Sequence, residues 1–272
     1  LFANDRTRLN WMAGYAFTNR KQPDNRRLTW VQNLDPADER SGEYALRIQN
    51  VPNAYMAGRL WIDMAENITD GKIDLTHHFS LFNAQTPWQL KAGLFHEQKK
   101  RDFNSRLIGA VAVSRPPDIF YNPVEQIFSS ENLYFDQTPP YTEHGIAYRD
   151  NTREKDNYHA TDQLTAGYVG LKIPFSPRFH LYGGIRAEKW NRLITGFYPV
   201  SGEVGNLDIV RDTLNLFPSA NLVYNFNEKN QLRLSYGKTV NRPEFREMSN
   251  FDYQDFDLFA LIHGNEELQN AY

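Results

Sequence analysis

Three histidines are the residues whose type most directly suggests a metal site. His77 and His78 are adjacent, and His96 falls in the next predicted strand. Because neighbouring residues of a β-strand point to opposite faces, His77 and His78 cannot easily bind one ion. The chain contains no cysteine, which removes thiolate ligands as well. We therefore predict neither a metal ion nor any other cofactor.

Acidic residues do not by themselves indicate an enzyme. The chain has 33 Asp and Glu residues, so pairs of carboxylates of the kind that glycosidases use occur by number alone. The sequence contains no nucleophile elbow, phosphate-binding loop or metal-binding helix motif. We predict that the protein is not an enzyme.

Composition leaves two classes of β protein open. The net charge of −3 gives no electrostatic reason to expect a nucleic-acid partner. Mean hydropathy is −0.65, and no apolar run approaches the roughly 18 residues of a membrane-spanning helix. Aromatic residues make up 14 % of the chain, which suits either the aromatic girdles of a membrane β-barrel or the core of a soluble β-sandwich.

Alternation of apolar and polar residues predicts strands along most of the chain. In Phe179–Trp190, for example, Leu181 and Ile185 fall on one face, and Arg186 and Glu188 fall on the other. Pro218 lies inside such a run and should cause a bulge or a local irregularity, because proline cannot donate to the sheet. The predicted strands are Arg8–Thr18, Lys72–Leu81, Trp88–Glu97, Leu164–Phe175, Phe179–Trp190, Leu214–Phe226 and Gln231–Asn241.

The predicted connections alternate between short and long. Tight turns are expected at Ile173–Arg178, Asn227–Asn230 and Asn83–Pro87, and the long connections are Arg20–Asn67, Arg115–Asn157, Tyr198–Arg211 and Pro243 onward. Outer-membrane barrels have short periplasmic turns and long extracellular loops. The sequence thus predicts an all-β, antiparallel transmembrane barrel segment of about seven or eight strands. So few strands cannot close a wide barrel, so we expect them to belong to a larger closed sheet.

The last third of the chain resembles a known family. Phe217–Leu222 leads to Gln231–Glu247, which contains Asn241-Arg242-Pro243, and Gly264–Leu268 follows after an acidic and aromatic loop, Phe251–Asp257. This order resembles the barrel of TonB-dependent receptors of the Bacteroidetes type, the carboxypeptidase-regulatory-like and SusC-like relatives. Glu266 stands where that family usually has proline. Looser similarity extends upstream through Pro123–Leu133, Lys99–Asn104 and Tyr15–Asp24.

The resemblance implies a transporter. Such proteins have 22-stranded barrels closed by an N-terminal plug, so residues 1–272 would be a partial barrel domain that lacks the plug and the barrel closure. The implied function is active uptake of a glycan, peptide or iron chelate at the cell outer membrane. The implied partners are TonB, outer-membrane lipids and a surface lipoprotein that captures substrate. Two alternatives stay open: a soluble, secreted module that binds or degrades glycans, and a passive porin or secretion-type barrel without energy coupling.

Two sets of residues are candidates for contact with substrate or plug. Those predicted to face the lumen are Arg8, Lys72, Asp74, Lys91, Glu97, Arg186, Glu188 and Arg233, and Lys172 shares their face. Those predicted to bind from extracellular loops are Tyr121, Phe128, Tyr134, Phe135, Tyr141, Tyr253 and Phe256. Both sets have an ordinary explanation too. Barrel interiors are generally wet and charge-paired, and loop aromatics often form the core of the loop itself.

Overall fold

The computed structural model describes residues 2–3, 6–81, 86–114, 118–133, 145–200, 203–255, 258 and 260–272. Its main element is an antiparallel half-barrel of seven strands, each paired with its neighbour in the sequence. Six of the seven are 19 to 27 residues long. They greatly exceed the usual strand of about five or six residues.

The half-barrel has the strand order β2-β5-β6-β8-β9-β10-β11, with β1 beside β2 and β7 beside β6, and β3–β4 and β12–β13 form two small sheets. The strands are β1 (Phe2–Ala3), β2 (Thr7–Leu28), β3 (Trp30–Gln32), β4 (Tyr44–Leu46), β5 (Ala57–Phe79), β6 (Trp88–Ser114), β7 (Gly145–Asp150), β8 (Tyr158–Ser176), β9 (Phe179–Val200), β10 (Glu203–Asn225), β11 (Gln231–Gly237), β12 (Tyr253–Asp255) and β13 (Ala260–Ile262). The helices are α1 (Val124–Ile127) and α2 (Phe245–Met248), and two 3-10 turns cover Ile119–Tyr121 and Glu154–Asp156. No helix in the described part of the chain is both long and apolar enough to span a membrane.

The all-β, antiparallel prediction is confirmed, but several of its boundaries are wrong. Strands β2 and β5 extend into the predicted long connection Arg20–Asn67, since β2 ends at Leu28 and β5 begins at Ala57, and β6 continues past its predicted end at Glu97 to Ser114. Strands β9 and β10 run through the predicted long connection Tyr198–Arg211 and stay paired as far as Val200 and Glu203. Pro199 and Gly205 resemble loop residues, yet they pair with Val204 and Tyr198 in the long-loop ends of β9 and β10. The predicted strand Gln231–Asn241 instead ends at Gly237, where the chain leaves the sheet.

The bulge predicted at Pro218 is also absent, because β9 and β10 pair in unbroken register on both sides of it. Lys238 N–H donates to the Pro218 carbonyl at 3.2 Å from the β11 side. Since the N–H and C=O of a strand residue point to the same side, the missing proline donor faces the place where β11 ends. Proline therefore costs no ladder bond there.

The two faces of the half-barrel differ sharply. Cross-strand pairing places Leu75, Ala92, Val169 and Ile185 in one row, because each lies opposite the next. We call their face the outer face. Its large apolar side chains are exposed, among them Trp11, Tyr15, Phe17, Ile73, Leu94, Val169, Ile185, Leu214, Leu216, Leu234 and Tyr236.

Connections pack on both faces of the half-barrel. On the opposite, inner face, Phe245 and Met248 are buried against Tyr158, Ala160 and Ile194 of the wall. A second cluster joins Ile127 of α1 to Ala57, Ala110 and Ile146 at the long-loop ends of β5, β6 and β7, and register places these three wall residues on the outer-face side. The exposed apolar side chains of the outer face thus belong to the part of the wall nearer the short turns.

Candidate functional site on the inner face of the half-barrel

Register places all eight residues of the predicted lumen set on the inner face. Arg8 lies opposite Thr76, which lies opposite Lys91. The remaining members follow by the same alternation along β5, β6, β9 and β11, as does Lys172 on β8. This common face is what a period of two residues requires. Their contact with a substrate or plug stays a prediction.

Part of this set is neutralised within the wall. Lys72 Nζ lies 2.8 Å from the Asp74 carboxylate, which also accepts a hydrogen bond from the Tyr168 hydroxyl. Arg186 donates to Glu188 at 2.6 Å. These pairs are the charge-paired interior expected of a barrel, and they hold four of the candidate charges in fixed positions.

The other members have looser surroundings. Arg8 donates to Asn10 and Arg233 donates to Gln231, each at 3.2 Å and each on its own strand. Lys91 and Lys172 make no ion pair with any carboxylate in the described part of the chain. Uncompensated positive charge therefore remains near the end of the half-barrel where the short turns lie.

Beyond Gly237 the chain folds back across the inner face, and we call Lys238–Asp252 the inner segment. Its strongest anchor is Arg192 of β9, which is only 5 % exposed. Arg192 makes a bidentate ion pair with Asp162 and donates to the Pro243 carbonyl. A buried arginine that keeps its charge needs such partners, so Arg192 ties the segment to the wall.

Phe245 occupies the centre of this attachment. Its ring is 1 % exposed and contacts two guanidinium groups, Arg192 at 4.5 Å and Arg101 at 4.9 Å from the ring centroid. Arg101 is itself paired with Glu66 on β5. Two cations near one buried aromatic ring add cation–π attraction to the apolar burial.

Arg242 adds a third attachment. It donates to Glu188 at 2.6 Å, so that carboxylate binds Arg186 and Arg242 together. The Arg242 guanidinium also lies 5.3 Å from the Trp190 ring centroid. Glu188, predicted as a lumen residue, thus holds the inner segment rather than facing an open channel.

Gly264–Leu268 packs onto the inner segment. Asn265 N–H donates to the Glu247 carbonyl at 2.7 Å, and Leu268 packs against the cluster that contains Phe245. A Cβ atom on Gly264 would collide with the carbonyl oxygen of Ser249, which explains why glycine is needed at this close approach. The two sequence motifs that carried the family resemblance therefore form one packed unit.

Asp252 joins this unit to the distant connections. One carboxylate oxygen accepts hydrogen bonds from Arg153 at 3.0 Å and Lys155 at 2.9 Å, and the other lies 2.6 Å from His263 Nδ1. Burial alone would raise the pKa of the Asp252 carboxyl. The hydrogen bonds and charges of Lys155, His263 and Arg153 outweigh burial and hold the pKa below its ordinary 3.8.

Tyr55 completes the network from the connection before β5. Its hydroxyl donates to the Asp252 carbonyl at 2.7 Å across 197 residues of sequence. Burial, together with the negative charges of Asp156 and Asp252, raises the pKa of the Tyr55 phenol far above its ordinary range. The phenol therefore stays a hydrogen-bond donor at any physiological pH.

The predicted loop aromatics are engaged inside the chain where the structure describes them. Asn33 donates to the Tyr121 hydroxyl, and Arg40 lies over the same ring. Phe128 stacks on Tyr148, and Arg246 lies 4.5 Å from the Tyr253 ring centroid. Tyr134, Phe135, Tyr141 and Phe256 lie outside the described residues. A binding role for the loop aromatics stays a prediction.

The histidines do not converge. His77 contacts Thr7 and His78 contacts Gln89, on opposite faces of β5. Among the described residues, no group of three or more His, Asp or Glu side chains could hold a metal ion.

Sequence reasoning missed the residues that fix the inner segment. Asp162 and Arg192 lie just beyond the predicted strands Leu164–Phe175 and Phe179–Trp190, and Arg101 and Glu66 were read as loop or strand end. Extending the alternation by two residues would have placed Asp162 and Arg192 on the inner face, and extensions of four and six residues would have done the same for Arg101 and Glu66. Their mutual pairing across β5, β6, β8 and β9 could not be read without the register.

Comparison with known proteins agrees with this geometry. Residues 128–272, more than half of the chain, match the outer membrane protein beta-barrel family. The chain belongs to this family. It is an outer-membrane protein, which excludes the soluble, secreted alternative and explains why the outer face exposes apolar side chains.

Two solved structures share the fold of this family member. Both are of Fiu, the ferric-catecholate import receptor of E. coli K12, in a closed form (TM-score 0.52) and an open form (TM-score 0.50), each at 14 % sequence identity. The similarity covers 87 % and 86 % of this chain but only 30 % and 33 % of the Fiu chains. No curated protein matches the sequence.

Proposed function

We propose that this chain forms barrel wall and extracellular loops of a TonB-dependent receptor, which actively imports a nutrient across the outer membrane. The substrate classes that fit are an iron chelate, a glycan or a peptide. TonB would supply the energy through a region outside residues 1–272, and the outer face would contact membrane lipids. The protein itself would not catalyse a reaction.

One observation carries this proposal. The segments that resemble TonB-dependent receptors, Asn241–Glu247 and Gly264–Leu268, pack together and are fixed to the inner wall by Arg192 and Arg101. Motif residues therefore narrow the space enclosed by the wall instead of extending the sheet. A restricted interior suits a receptor that admits a bound substrate. The similarity in fold to the import receptor Fiu also supports the proposal.

Uptake by the host provides the test. Cells that carry the full-length protein, cells that lack it and cells that lack TonB would be given a radiolabelled ferric catecholate, a labelled oligosaccharide and a labelled peptide. We expect one of these to enter only when both the protein and TonB are present. Uptake that needs the protein but not TonB would identify a passive channel and overturn the proposal.

A surface lipoprotein partner and a Bacteroidetes-type receptor are finer parts of the same proposal. They rest on the motif run through Asn241-Arg242-Pro243. Affinity purification of the tagged full-length protein from outer membranes would test the partner. A stoichiometric lipoprotein in the eluate is expected, and its absence after mild cross-linking would remove that part of the proposal.

A further inference from the structure

A groove of about 520 Å³ lies near the short-turn end of the inner face, and Arg186 in its lining shares Glu188 with Arg242 of the inner segment. Its volume falls within the range of about 300–1,000 Å³ that is usual for small-molecule sites. Lys91, Lys172 and Arg186 reach it from three neighbouring strands, together with Tyr168 and Tyr182. Polar side chains from β6, β10 and β11 complete the lining: Gln89, Ser219, Asn221 and Ser235.

The charges of the groove are not balanced. Arg186 is paired with Glu188, and Asp74 is held by Lys72 and Tyr168. Neither Lys91 nor Lys172 has a carboxylate within ion-pair distance in the part of the chain that is described, and Lys172 lies 5.4 Å from the Tyr182 ring centroid instead. Two net positive charges therefore face the interior.

Register places these two lysines close together. Lys91 of β6 lies opposite Gly170 of β8, and Lys172 follows Gly170 by two residues on the same face of β8. Diagonal neighbours of this kind are about 7–8 Å apart. Arg8 lies on the row of Lys91 with one strand between them, a separation of about 10 Å. Like charges at this spacing repel one another unless an anion lies between them.

The floor of the groove is held open by glycine. Gly170 and Gly184 lie opposite one another and contribute only backbone. A Cβ atom on Gly184 would lie 2.8 Å from the Val169 carbonyl oxygen and 3.1 Å from the Gly170 Cα, so a larger residue would force the strands apart. The lysine ammonium groups consequently stand beside a recess without side chains of its own.

We propose that this groove binds a small, multiply charged anion between Lys91, Lys172 and Arg186. The ligand would carry carboxylate, phosphate or phenolate oxygens, which accept charge-assisted hydrogen bonds from the two ammonium groups. Tyr168 and Tyr182 would contact its flat or apolar part. The inference deepens the proposed import function and rests on it in one respect: the anion would be a substrate passing the periplasmic half of the barrel.

Lysine reactivity in the full-length, detergent-solubilised protein tests the site, with pyrophosphate as the probe. An amine-acylating reagent and mass spectrometry would report the labelling of each lysine. We expect Lys91 and Lys172 to be labelled without pyrophosphate and protected by it. Lys189, which pairs with Asp212 on the outer face, is the internal control and should not respond.

Each other outcome overturns the inference. Labelling of Lys91 and Lys172 that pyrophosphate does not reduce would mean that the groove binds no anion. Failure of both to label under either condition would mean that an acidic part of the same protein fills the groove. TonB-dependent uptake of a neutral substrate would leave the proposed function standing while this inference fails, so the two failures can be told apart.

Variants give a second measurement. The double variant Lys91→Gln/Lys172→Gln should weaken pyrophosphate binding, measured by calorimetry, by about ten-fold or more, because two charged donors are lost. Lys189→Gln should bind as the unaltered protein does. An unchanged heat-dependent gel shift would show that both variants fold, and equal affinities in a folded double variant would refute the site.

Discussion

Phe245 shows how much of the inner segment depends on one side chain. Its ring is buried beside Arg192 and Arg101, and each of these arginines is paired with a carboxylate of the wall. Removal of the ring would leave a cavity beside two buried charges. Large-to-small aromatic substitutions in cores cost about 3–5 kcal/mol, so this position should dominate the attachment.

Phe245→Ala should therefore release the inner segment without unfolding the barrel. We expect trypsin to cleave the full-length protein after Arg246 at least about ten-fold faster, because the local opening free energy falls by more than about 1.4 kcal/mol. Phe245→Leu should be cleaved at a rate between those of Phe245→Ala and the unaltered protein, since it keeps apolar volume but loses the cation–π contacts. Gln269→Ala, at an exposed position of the chain after the inner segment, is the control. Equal cleavage of the Phe245→Ala and Gln269→Ala variants would contradict this account.

Asp252 gives the same attachment a dependence on pH. Because its folded pKa is lowered below 3.8, its carboxylate stabilises the folded state at pH above that value, and the contribution is lost as pH falls through the lowered pKa. Protonation would leave Lys155, Arg153 and His263 without their shared acceptor. The protection of the inner-segment amides from hydrogen exchange, relative to the intrinsic rate at each pH, should therefore fall below about pH 4.

Asp252→Asn separates this effect from general acid denaturation. The variant should exchange faster at neutral pH and show a flatter response between neutral and acid pH. Asp208→Asn, at an exposed position of β10, should follow the unaltered protein. A pH response that survives Asp252→Asn would assign the effect to another carboxylate.

At the level of elements, the decisive event is the departure of the chain from the sheet after Gly237. The inner segment exists because β11 is short, and Gly264–Leu268 then covers it from the other side. Neither part would be stable alone, since α2 is only four residues long. Their stability must come from mutual packing and from the wall.

Gly264→Ala should separate these two parts. The added methyl group would collide with the Ser249 carbonyl oxygen, so Gly264–Leu268 must shift away from the helix end. We expect faster hydrogen exchange at Asn265, whose N–H donates to Glu247. Gly237→Ala is a matched control because nothing lies within 4 Å of its Cβ position. The interpretation fails if both variants exchange alike.

The elements differ in how far they could be predicted. Strand faces such as Leu181 and Ile185 against Arg186 and Glu188 followed from alternation, because a barrel wall with one apolar side imposes a period of two. Strand ends could not be predicted in the same way. Distal β9 and β10 have polar residues on both faces, which removes the signal, and the inner segment is set by long-range arginine contacts that alternation does not encode.

The strands of the whole molecule are longer than a crossing of the membrane requires. A tilted barrel strand crosses the hydrocarbon with about 9–11 residues, yet six strands here have 19 to 27. On the outer face of β9, apolar residues from Phe179 to Ala187 give way to Lys189 and Asn191. The wall should therefore continue well beyond the lipid on the long-loop side.

Because one part of the wall lies in lipid and another extends beyond it, two positions on one strand should differ in how well they tolerate a charge. Ile185 and Leu193 are both on the outer face of β9 and are 44 % and 41 % exposed. Ile185→Arg should destabilise the barrel by about 2–4 kcal/mol, and Leu193→Arg by about 0–1 kcal/mol, because the cost of arginine falls away from the bilayer centre. Urea unfolding of the full-length protein in lipid vesicles, followed by the heat-dependent gel shift, measures both. Equal losses would place the lipid boundary elsewhere.

The connectivity of the sheet also sets an order of assembly. Each long strand pairs with the next one in sequence, so hairpins can add one at a time with little loop-closure entropy. The inner segment cannot form early, because its contacts reach back to Arg101 and Tyr55, the latter across 197 residues. It docks only on a wall that already exists, and its attachment would therefore report that the preceding strands have assembled in the correct register.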